Sequence, residues 1–547
     1  MSSVPTIPGL YFTSVPQAPH PSPLRTDVAG FFGRTLRGPV GVATRVRGWR
    51  EYTRAFGGLT AGAMTSYALH GYFDNQGDVA YVVRVLGKKS TSAGVTWLAG
   101  TYDPVTKKLN PDWPGAGGFS AIQFAFQANS PGVWANDTPI NIRYWARGIS
   151  GKPEVELEIS PPGEDTEILT GLNPATLADE VNQASQYVTL QAASLPAGLT
   201  LAQLGASAGP NYFAWPTLKL AGGSSLPAAK KDYLAAVTAL GDQIEVAMTV
   251  SPDLYSTDLY DQNDPHRNDN VVELIQAMLL QAEQLHDRLV VLDIPPDQAD
   301  PIVAVEWLDA NFRDPDVAPD PLNQFTLQNG AVYHPRLLVP DPLGRAAAPL
   351  LCVPCSGLVA GVISRLDQQE GAYLTPANAP IKDAVDLSRV LDANEQTVVY
   401  QGGINLLTCS PSQGLLVWGG RVLGPRASGS KTQGRFVAHR RLIHLLVKAI
   451  RRVAEPLVFD VNGPPTWLAL VRCITTVLLE AYRAGALKGE TPDQAFQVQC
   501  DETTNPLEQI EQGILICLVK VAPAVPMEFI TLRIAVSGQG QLEVFET

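Results

Sequence analysis

Between residues 228 and 342 helical stretches alternate with apolar runs, and this alternation constrains the fold more than any other feature. The helical stretches are "AAKKDYLAAVTALG" (228–241), "NVVELIQAMLLQAEQLH" (270–286) and "PIVAVEWLDANFR" (301–313). The runs between and after them are "QIEVAMTVSP" (243–252), "RLVVLDIPP" (288–296) and "AVYHPRLLVPDP" (331–342). Strands of this kind, separated by helices of this length, predict a largely parallel sheet covered on both faces. The start of the chain has the same texture: "VAGFFGR" (28–34) and "VAYVVRVLG" (79–87) read as strands flanking two helices that end at Gly57-Gly58 and Gly77.

From about 90 to 215 the period changes. "FSAIQFAFQANSPGVWANDTPINIRYWARG" (119–148) and "VELEIS" (155–160) alternate apolar with polar residues, which predicts a mainly β insert with one short helix near 175–184. From about 345 a second α/β unit is expected. It has helices near 356–369, 435–453 and 466–484, and strands in "LVFDV", "FQVQC", "ILICLVKVAP" and "MEFITLRIAVSG". Six prolines in residues 1–25 make an extended arm, and "QLEVFE" after Gly538 and Gly540 makes a short second one. The expected fold class is α/β (α+β) and multidomain. An arm (1–25) precedes a discontinuous α/β domain (26–90 and 216–344) that is interrupted by the β insert (91–215). A C-terminal α/β domain (345–537) and an arm strand (538–547) follow.

The 547 residues suit three or four domains at about 150 residues each. A net charge of −13 argues against general nucleic-acid binding, which needs basic surface. Six cysteines are too few for a disulfide scaffold, so a reducing compartment is expected. No basic segment followed by an apolar core opens the chain, so no secretory signal is expected. Thr466 to Leu487 is apolar enough to suggest a membrane span, but Arg472, Glu480 and Arg483 interrupt it, and it reads as a packed helix.

Several stretches imitate chemical motifs. Cys352-Val353-Pro354-Cys355 has the spacing of thiol–disulfide oxidoreductases, in which a lowered thiol pKa makes one sulfur a nucleophile. The bland alternative is a buried loop with two unoxidised thiols. "GPRASGSKT" (424–432) misplaces Lys431 relative to a phosphate loop, because Ser430 follows the second glycine. "DLYDQNDPHRND" (258–269) has Asn263 and Asp269 where a calcium loop needs Gly and Glu, so it reads as an acidic surface loop. The histidines form no metal or hydrolase signature. One charge anomaly stands out. "RFVAHRRLIHLLVKAIRRV" (435–453) carries six Lys/Arg and no acid. At helical spacing Leu442, Leu446, Ile450 and Val453 form an apolar stripe beside a basic one of Arg440, His444, Lys448 and Arg451, flanked by Arg441 and Arg452. An ordinary amphipathic surface helix and a docking helix for an acidic protein surface both fit this pattern.

Taken in order, these and other stretches resemble contractile tail sheath proteins. The resemblance rests on "PGLYFTSVP" (8–16), "VAGFFGRTLRGPVGVATRVRGWREYTRAFGG" (28–58), "YALHGYFDNQGDVAYVVRV" (67–85), "ANSPGVWAN" (128–136), "VPCSGLVAGVISRLDQQEGAYLTPAN" (353–378), "GINLLTCSPSQGLLVWGGRVL" (403–423) and the region from Arg440 to Asn505. It covers nearly the whole chain. In that pattern Pro354 and Cys355 stand where the family has two prolines before Ser-Gly, which makes the C-x-x-C an accident of substitution in a structural loop. The link after "WGGR" is longer than usual, and the insert matches poorly outside its PG-x-W-x-N turn.

The resemblance implies a non-enzymatic subunit of a sheath that polymerises as helical rings around an inner tube and contracts from a metastable extended state. It implies no cofactor, metal or catalytic residue. The implied partners are further copies of the chain, the tube protein, and baseplate and terminal cap proteins, without nucleic acid or membrane insertion. Assembly is expected in the cytoplasm, as part of a phage tail or an injection particle. Arm strands carrying Val4, Ile7, Leu10, Phe12, Val15, Leu542, Val544 and Phe545 are expected to join a neighbour's sheet. Arg440, Arg441, His444, Lys448, Arg451 and Arg452 are expected to face the tube, with Arg472 and Arg483 in reserve.

Overall fold

The computed structural model describes residues 24–103, 108–110, 120–145, 154–173, 176–192, 213–214, 217–261, 263–314, 318, 322–344, 349–424, 436–524, 530–536 and 542–546. Its centre is a nine-stranded sheet in the order Ala379–Pro380, Gly414–Val417, Asn405–Ser410, Gly330–His334, Leu289–Asp293, Met248–Val250, Ala29–Gly33, Val79–Arg84 and Thr44–Arg47. The run from Asn405–Ser410 to Val79–Arg84 is parallel throughout. The strands at both edges are antiparallel. Ala29–Gly33, Leu289–Asp293 and Gly330–His334 are buried at every residue, as strands covered on both faces must be.

Alternation within these strands feeds two cores. Phe31, Val82 and Val291 point to one side, where the helices Met64–Asp74 and Ser356–Gln369 lie. Phe32, Val83 and Val290 point to the other, under Lys230–Gly241, Arg267–Leu285 and Pro301–Leu308. Glycines let the first pair of helices touch along their backbones. A Cβ on Gly357 would lie 2.5 Å from that of Ala68, and one on Gly361 would lie 2.6 Å from the carbonyl of Tyr72. Asp253, fully buried, accepts from the amides of Arg34 (2.7 Å) and Met64 (2.7 Å) and from the Thr65 hydroxyl (2.6 Å). It thereby caps the helix Met64–Asp74 from a distant segment.

The insert is β as expected. It has a four-stranded and a five-stranded antiparallel sheet and the helix Leu177–Ala184, around a core of Trp97, Phe124, Phe126, Ile140, Leu157 and Val188. Two buried arginines join it to the central domain. Arg84 donates to the carbonyls of Gly38 (2.9 Å) and Pro131 (2.8 Å). Arg37 lies over Trp134 and Tyr187. The C-terminal part packs the helices Val437–Ala454 and Pro464–Arg483 on a four-stranded antiparallel sheet, Phe496–Gln499, Leu515–Val521, Ile530–Val536 and Leu542–Glu546. Among the described residues no helix is long and apolar enough to cross a membrane.

Three expectations change. The boundary placed at 344/345 falls inside the main sheet, because Asn405–Ser410 pairs in parallel with Gly330–His334. "AVYHPRLLVPDP" splits into two strands at Pro335, which has no amide to continue the ladder, and Leu337–Pro340 joins a separate small sheet. "LVFDV" is not a strand: a 3₁₀ turn ends at Leu457, and Phe459 and Val461 stand exposed beyond it.

Candidate functional site

The basic helix is the first candidate surface, and the structure turns most of it inwards. Arg440, Arg441, His444 and Lys448 are 2, 3, 3 and 6% exposed. The helix lies across the end of the sheet at which the parallel strands begin. Its cations meet acceptors just before those strands. Arg441 forms a two-pronged pair with Asp367 and donates to the carbonyl of Thr26 (2.7 Å). Arg440 donates to Asn329 Oδ1 (3.0 Å) and Lys448 to the carbonyl of Val246 (2.9 Å). Arg451 donates to the carbonyl of Leu285 (2.7 Å), at the C-terminus of the helix Arg267–Leu285, where the helix dipole is negative.

Burial shapes the titration of this layer. Desolvation, with Arg440 and Lys448 beside it, pushes His444 well below the usual histidine range. Desolvation lowers His439 to about 4 and Lys448 to about 8. The expectation of a free basic stripe is thus corrected for Arg440, Arg441, His444 and Lys448, whose partners belong to their own chain. The sequence signal is misleading because the acceptors are backbone carbonyls, one amide and one carboxylate from distant segments, which no acidic run announces. Arg451 and Arg452 are half-buried, whereas Arg472 and Arg483 on the next helix are exposed.

The arm strands divide. Val4, Ile7, Leu10, Phe12 and Val15 lie outside the described residues, as do Gly538 and Gly540. Leu542, Val544 and Phe545 belong to the strand Leu542–Glu546, which pairs antiparallel with Ile530–Val536 of its own chain. Among the described residues the opposite edge of that sheet, Phe496–Gln499, has one strand neighbour. Beside it runs a groove of about 820 Å³ between Trp467, Leu468 and Val471 of the helix and Gln497, Val498 and Cys500 of the strand.

Nothing in the described structure favours a redox role for the C-x-x-C. Cys352 is exposed on the strand Leu350–Val353, and Cys355 is buried before the helix Ser356–Gln369. The Cys355 thiol donates to Asp293 Oδ1 (3.3 Å). Burial and that carboxylate push it well above the usual thiol range, opposite to what a nucleophile needs. In the acidic loop Asp258 accepts from the amide of Ala228 (3.1 Å), and Asp264 from that of His266 (2.9 Å). These carboxylates cap turns. Most of the phosphate-loop imitation lies outside the described residues. Two arrangements escaped sequence reasoning, since their members are far apart in the chain or unrelated by any motif. His70 Nδ1 donates to Asp383 Oδ2 (2.8 Å) with Asp74 beside it, and Cys500 sits by Cys517.

Residues 228–422 match the family model described as the phage tail sheath protein central domain. The tail sheath protein of Vibrio phage KVP40 is 29% identical over 184 residues, which is 33% of this chain and 26% of that protein. The chain therefore spans about a quarter of that relative's length. The central part of the chain is thus similar to contractile tail sheath proteins. Among solved structures, the sheath tail protein from Listeria innocua has the same fold with a TM-score of 0.61 at 13% identity, over 94% of this chain and 96% of that one. The helical sheath of the anti-feeding prophage, in its contracted state, gives 0.52 at 19% identity, over 96% and 98%.

The stretches that carry the resemblance have physical work in the sheath fold. Gly357 and Gly361 are the helix contact described above. Arg365 of the same helix donates to the carbonyl of Pro380 (2.6 Å), and Asp367 holds Arg441. In "WGGR" a Cβ on Gly419 would meet Asn405, and Arg421 stacks 3.9 Å over Tyr400. In the PG-x-W-x-N turn Trp134 donates to the carbonyl of Ser130 (3.1 Å), and Asn136 exchanges two hydrogen bonds with Gly223. The central domain match crosses residue 345, as the sheet does.

Proposed function

We propose that this chain is the structural subunit of a contractile sheath. It polymerises with further copies as helical rings around an inner tube and contracts to drive that tube through a target envelope. The observation that carries this reading is the match of residues 228–422 to the phage tail sheath central domain, within a chain whose fold resembles sheath proteins over 94–96% of its length. Partners are further copies, the tube protein, and baseplate and terminal cap proteins. Assembly takes place in the cytoplasm, on a phage tail or an injection particle. No cofactor takes part, and the chain is not an enzyme. No feature of Cys352 or Cys355 favours the oxidoreductase alternative.

Strand exchange links the subunits. The Leu542–Glu546 strand satisfies its backbone on its own sheet, and a neighbour's sheet offers the same ladder. Exchange therefore swaps equivalent hydrogen bonds and is close to neutral until other contacts bias it. The free edge at Phe496–Gln499, with its groove, is the second place where an extended segment such as residues 4–15 adds. Head-to-tail contacts of this kind continue as a filament. On the tube-facing side, exposed Arg472 and Arg483 replace the buried set as the docking cations.

The test is electron microscopy of the chain co-expressed with the tube protein of the same particle. Hollow or filled helical tubes support the reading. A chain truncated after 536 that still forms tubes would remove strand exchange from it, and monomers under every condition would sink it.

A further inference from the structure

Cys500 and Cys517 are brought together by register. The ladder between Phe496–Gln499 and Leu515–Val521 ends at Gln499 opposite Leu518, and one step further sets Cys500 opposite Cys517. The Ala522 amide donates to the carbonyl of Ala495 (2.8 Å) and the Ile516 amide to Asn505 Oδ1 (2.6 Å). Even-numbered residues of Leu515–Val521 therefore turn their hydrogen-bonding groups towards Phe496–Gln499. By alternation Cys500 and Cys517 form a non-hydrogen-bonded pair, where Cα atoms sit about 4.5 Å apart. Disulfides take Cα separations of about 4.4–6.8 Å.

The surroundings give the two sulfurs different roles. Cys517 is fully buried in the core with Val519, Leu470 and Ile474. Cys500 is half-buried, packs against that core and lines the groove. The neighbouring Cys517 thiol lowers the proton affinity of Cys500, and Asn505 Nδ2 donates to the Cys500 sulfur at 3.7 Å. The neighbouring Cys500, with burial, keeps the proton on Cys517.

We propose that Cys500 and Cys517 are an oxidative modification site that takes a low-molecular-weight disulfide, such as oxidised glutathione, through the groove. The Cys500 thiolate attacks one sulfur of the small disulfide, whose S–S bond breaks and releases one thiolate. Cys517 then loses its proton to solvent and attacks the Cys500 sulfur, expelling the second small thiol. Two protein thiols are oxidised, and one small disulfide is reduced to two thiols. The product ties the edge strand Phe496–Gln499 to its neighbour and closes a ring through the Asp501–Asn505 turn and the helix Leu507–Glu511. The edge at which an extended segment adds becomes harder to peel away. This chemistry does not depend on the sheath reading.

The experiment treats the folded full chain with oxidised glutathione, quenches with acid, alkylates, and maps unreduced peptides by mass spectrometry. The expected result is a peptide linked through Cys500 and Cys517 with the loss of two hydrogens, a rise in Tm, and reversal of both by dithiothreitol. Cys517→Ser is expected to accumulate a glutathione adduct at Cys500, and Cys500→Ser to leave Cys517 reduced. A persistent glutathione adduct at Cys500 in the unaltered chain would overturn the proposal. So would a link from Cys500 to Cys473, or reaction confined to Cys352 and Cys409. The unaltered chain decides the matter if either variant fails to fold.

Discussion

Two consecutive helices carry cations to opposite ends. Val437–Ala454 turns Arg440, Arg441 and Lys448 into the protein, against the beginnings of the parallel strands. Pro464–Arg483 turns Arg472 and Arg483 out to solvent. Both helices are amphipathic and both look like docking surfaces when read as sequence. The difference lies in what faces them. A cation can be buried where carbonyls and a carboxylate converge on it, and these come from Thr26, Val246, Asn329 and Asp367, segments that meet only when the sheet is built. Inward cations hold the chain together, and outward ones stay in solvent.

The largest expected effect comes from breaking the inner set. Arg441→Glu puts a second carboxylate against Asp367, both nearly without exposure. Removing one member of a buried pair is expected to lower stability by about 3–5 kcal/mol. Urea denaturation of the isolated chain measures it. Loss of tube binding without loss of stability would mean that Arg441 faces outwards after all. The reversed pair, Arg441→Glu with Asp367→Arg, should regain part of the loss.

Acidification probes the same layer. His439 and His444 both have a proton affinity lowered by burial, His439 to about 4. Among the described residues neither ring nitrogen of His439 has a hydrogen-bond partner, so its protonation would leave a buried charge unpaired. A base depressed in the folded state contributes stability that is fully present above the unfolded value, near 6.5, and is lost as pH falls towards the folded one. The fall for His439 alone is about 3 kcal/mol. Denaturant melts from pH 7.5 to 4.5 should show the decline, and His439→Gln should flatten it. An unchanged slope in that variant would place the titration elsewhere.

Why part of this was legible and part was not follows from the range of each signal. Strand and helix periodicity is local, so the buried runs at 29–33 and 289–293 and the helix at 177–184 were all readable. Strand partnership is not local. The step from Gly330–His334 to Asn405–Ser410 spans a small sheet and two helices, so the boundary expected at 344/345 cuts a sheet that is continuous. "LVFDV" has strand composition but, among the described residues, no strand partner, and context overrides such a weak preference. The fate of a cation is the least local property of all. It depends on carbonyls from several segments and cannot be counted in a window.

Lys448 sharpens the comparison with a smaller effect of opposite sign. Its ammonium is buried and its proton affinity lowered to about 8 by desolvation. Since the folded value lies below the unfolded one, the unaltered chain should gain stability as pH rises from about 8 towards 10.5, the ordinary lysine value. Lys448→Met removes the charge at similar volume and leaves one carbonyl, that of Val246, without this donor. Replacing a buried charge by an apolar group is often neutral or stabilising, and a gain of about 1 kcal/mol at pH 7 is expected. Thermal melts at pH 7 and 10 should show that the variant lacks the alkaline rise. A destabilised variant would mean that the bond to Val246 outweighs the desolvation.

The smallest effect on folding, and the largest on assembly, belongs to the outward pair. Arg472→Glu with Arg483→Glu changes exposed positions, where substitutions usually move stability by no more than about 0.5 kcal/mol. Each exposed ion pair is itself worth only about 0–1 kcal/mol, but a helical assembly repeats the contact once per subunit, so reversing its sign opposes every ring. The double variant should melt like the unaltered chain and fail to co-sediment with the tube protein at low salt. Added salt should weaken the unaltered contact and leave the variant unchanged, because screening acts on exposed charges within a Debye length. A variant that co-assembles normally at low salt would show that the helix Pro464–Arg483 does not face the tube, even though its cations are the ones the fold leaves outside.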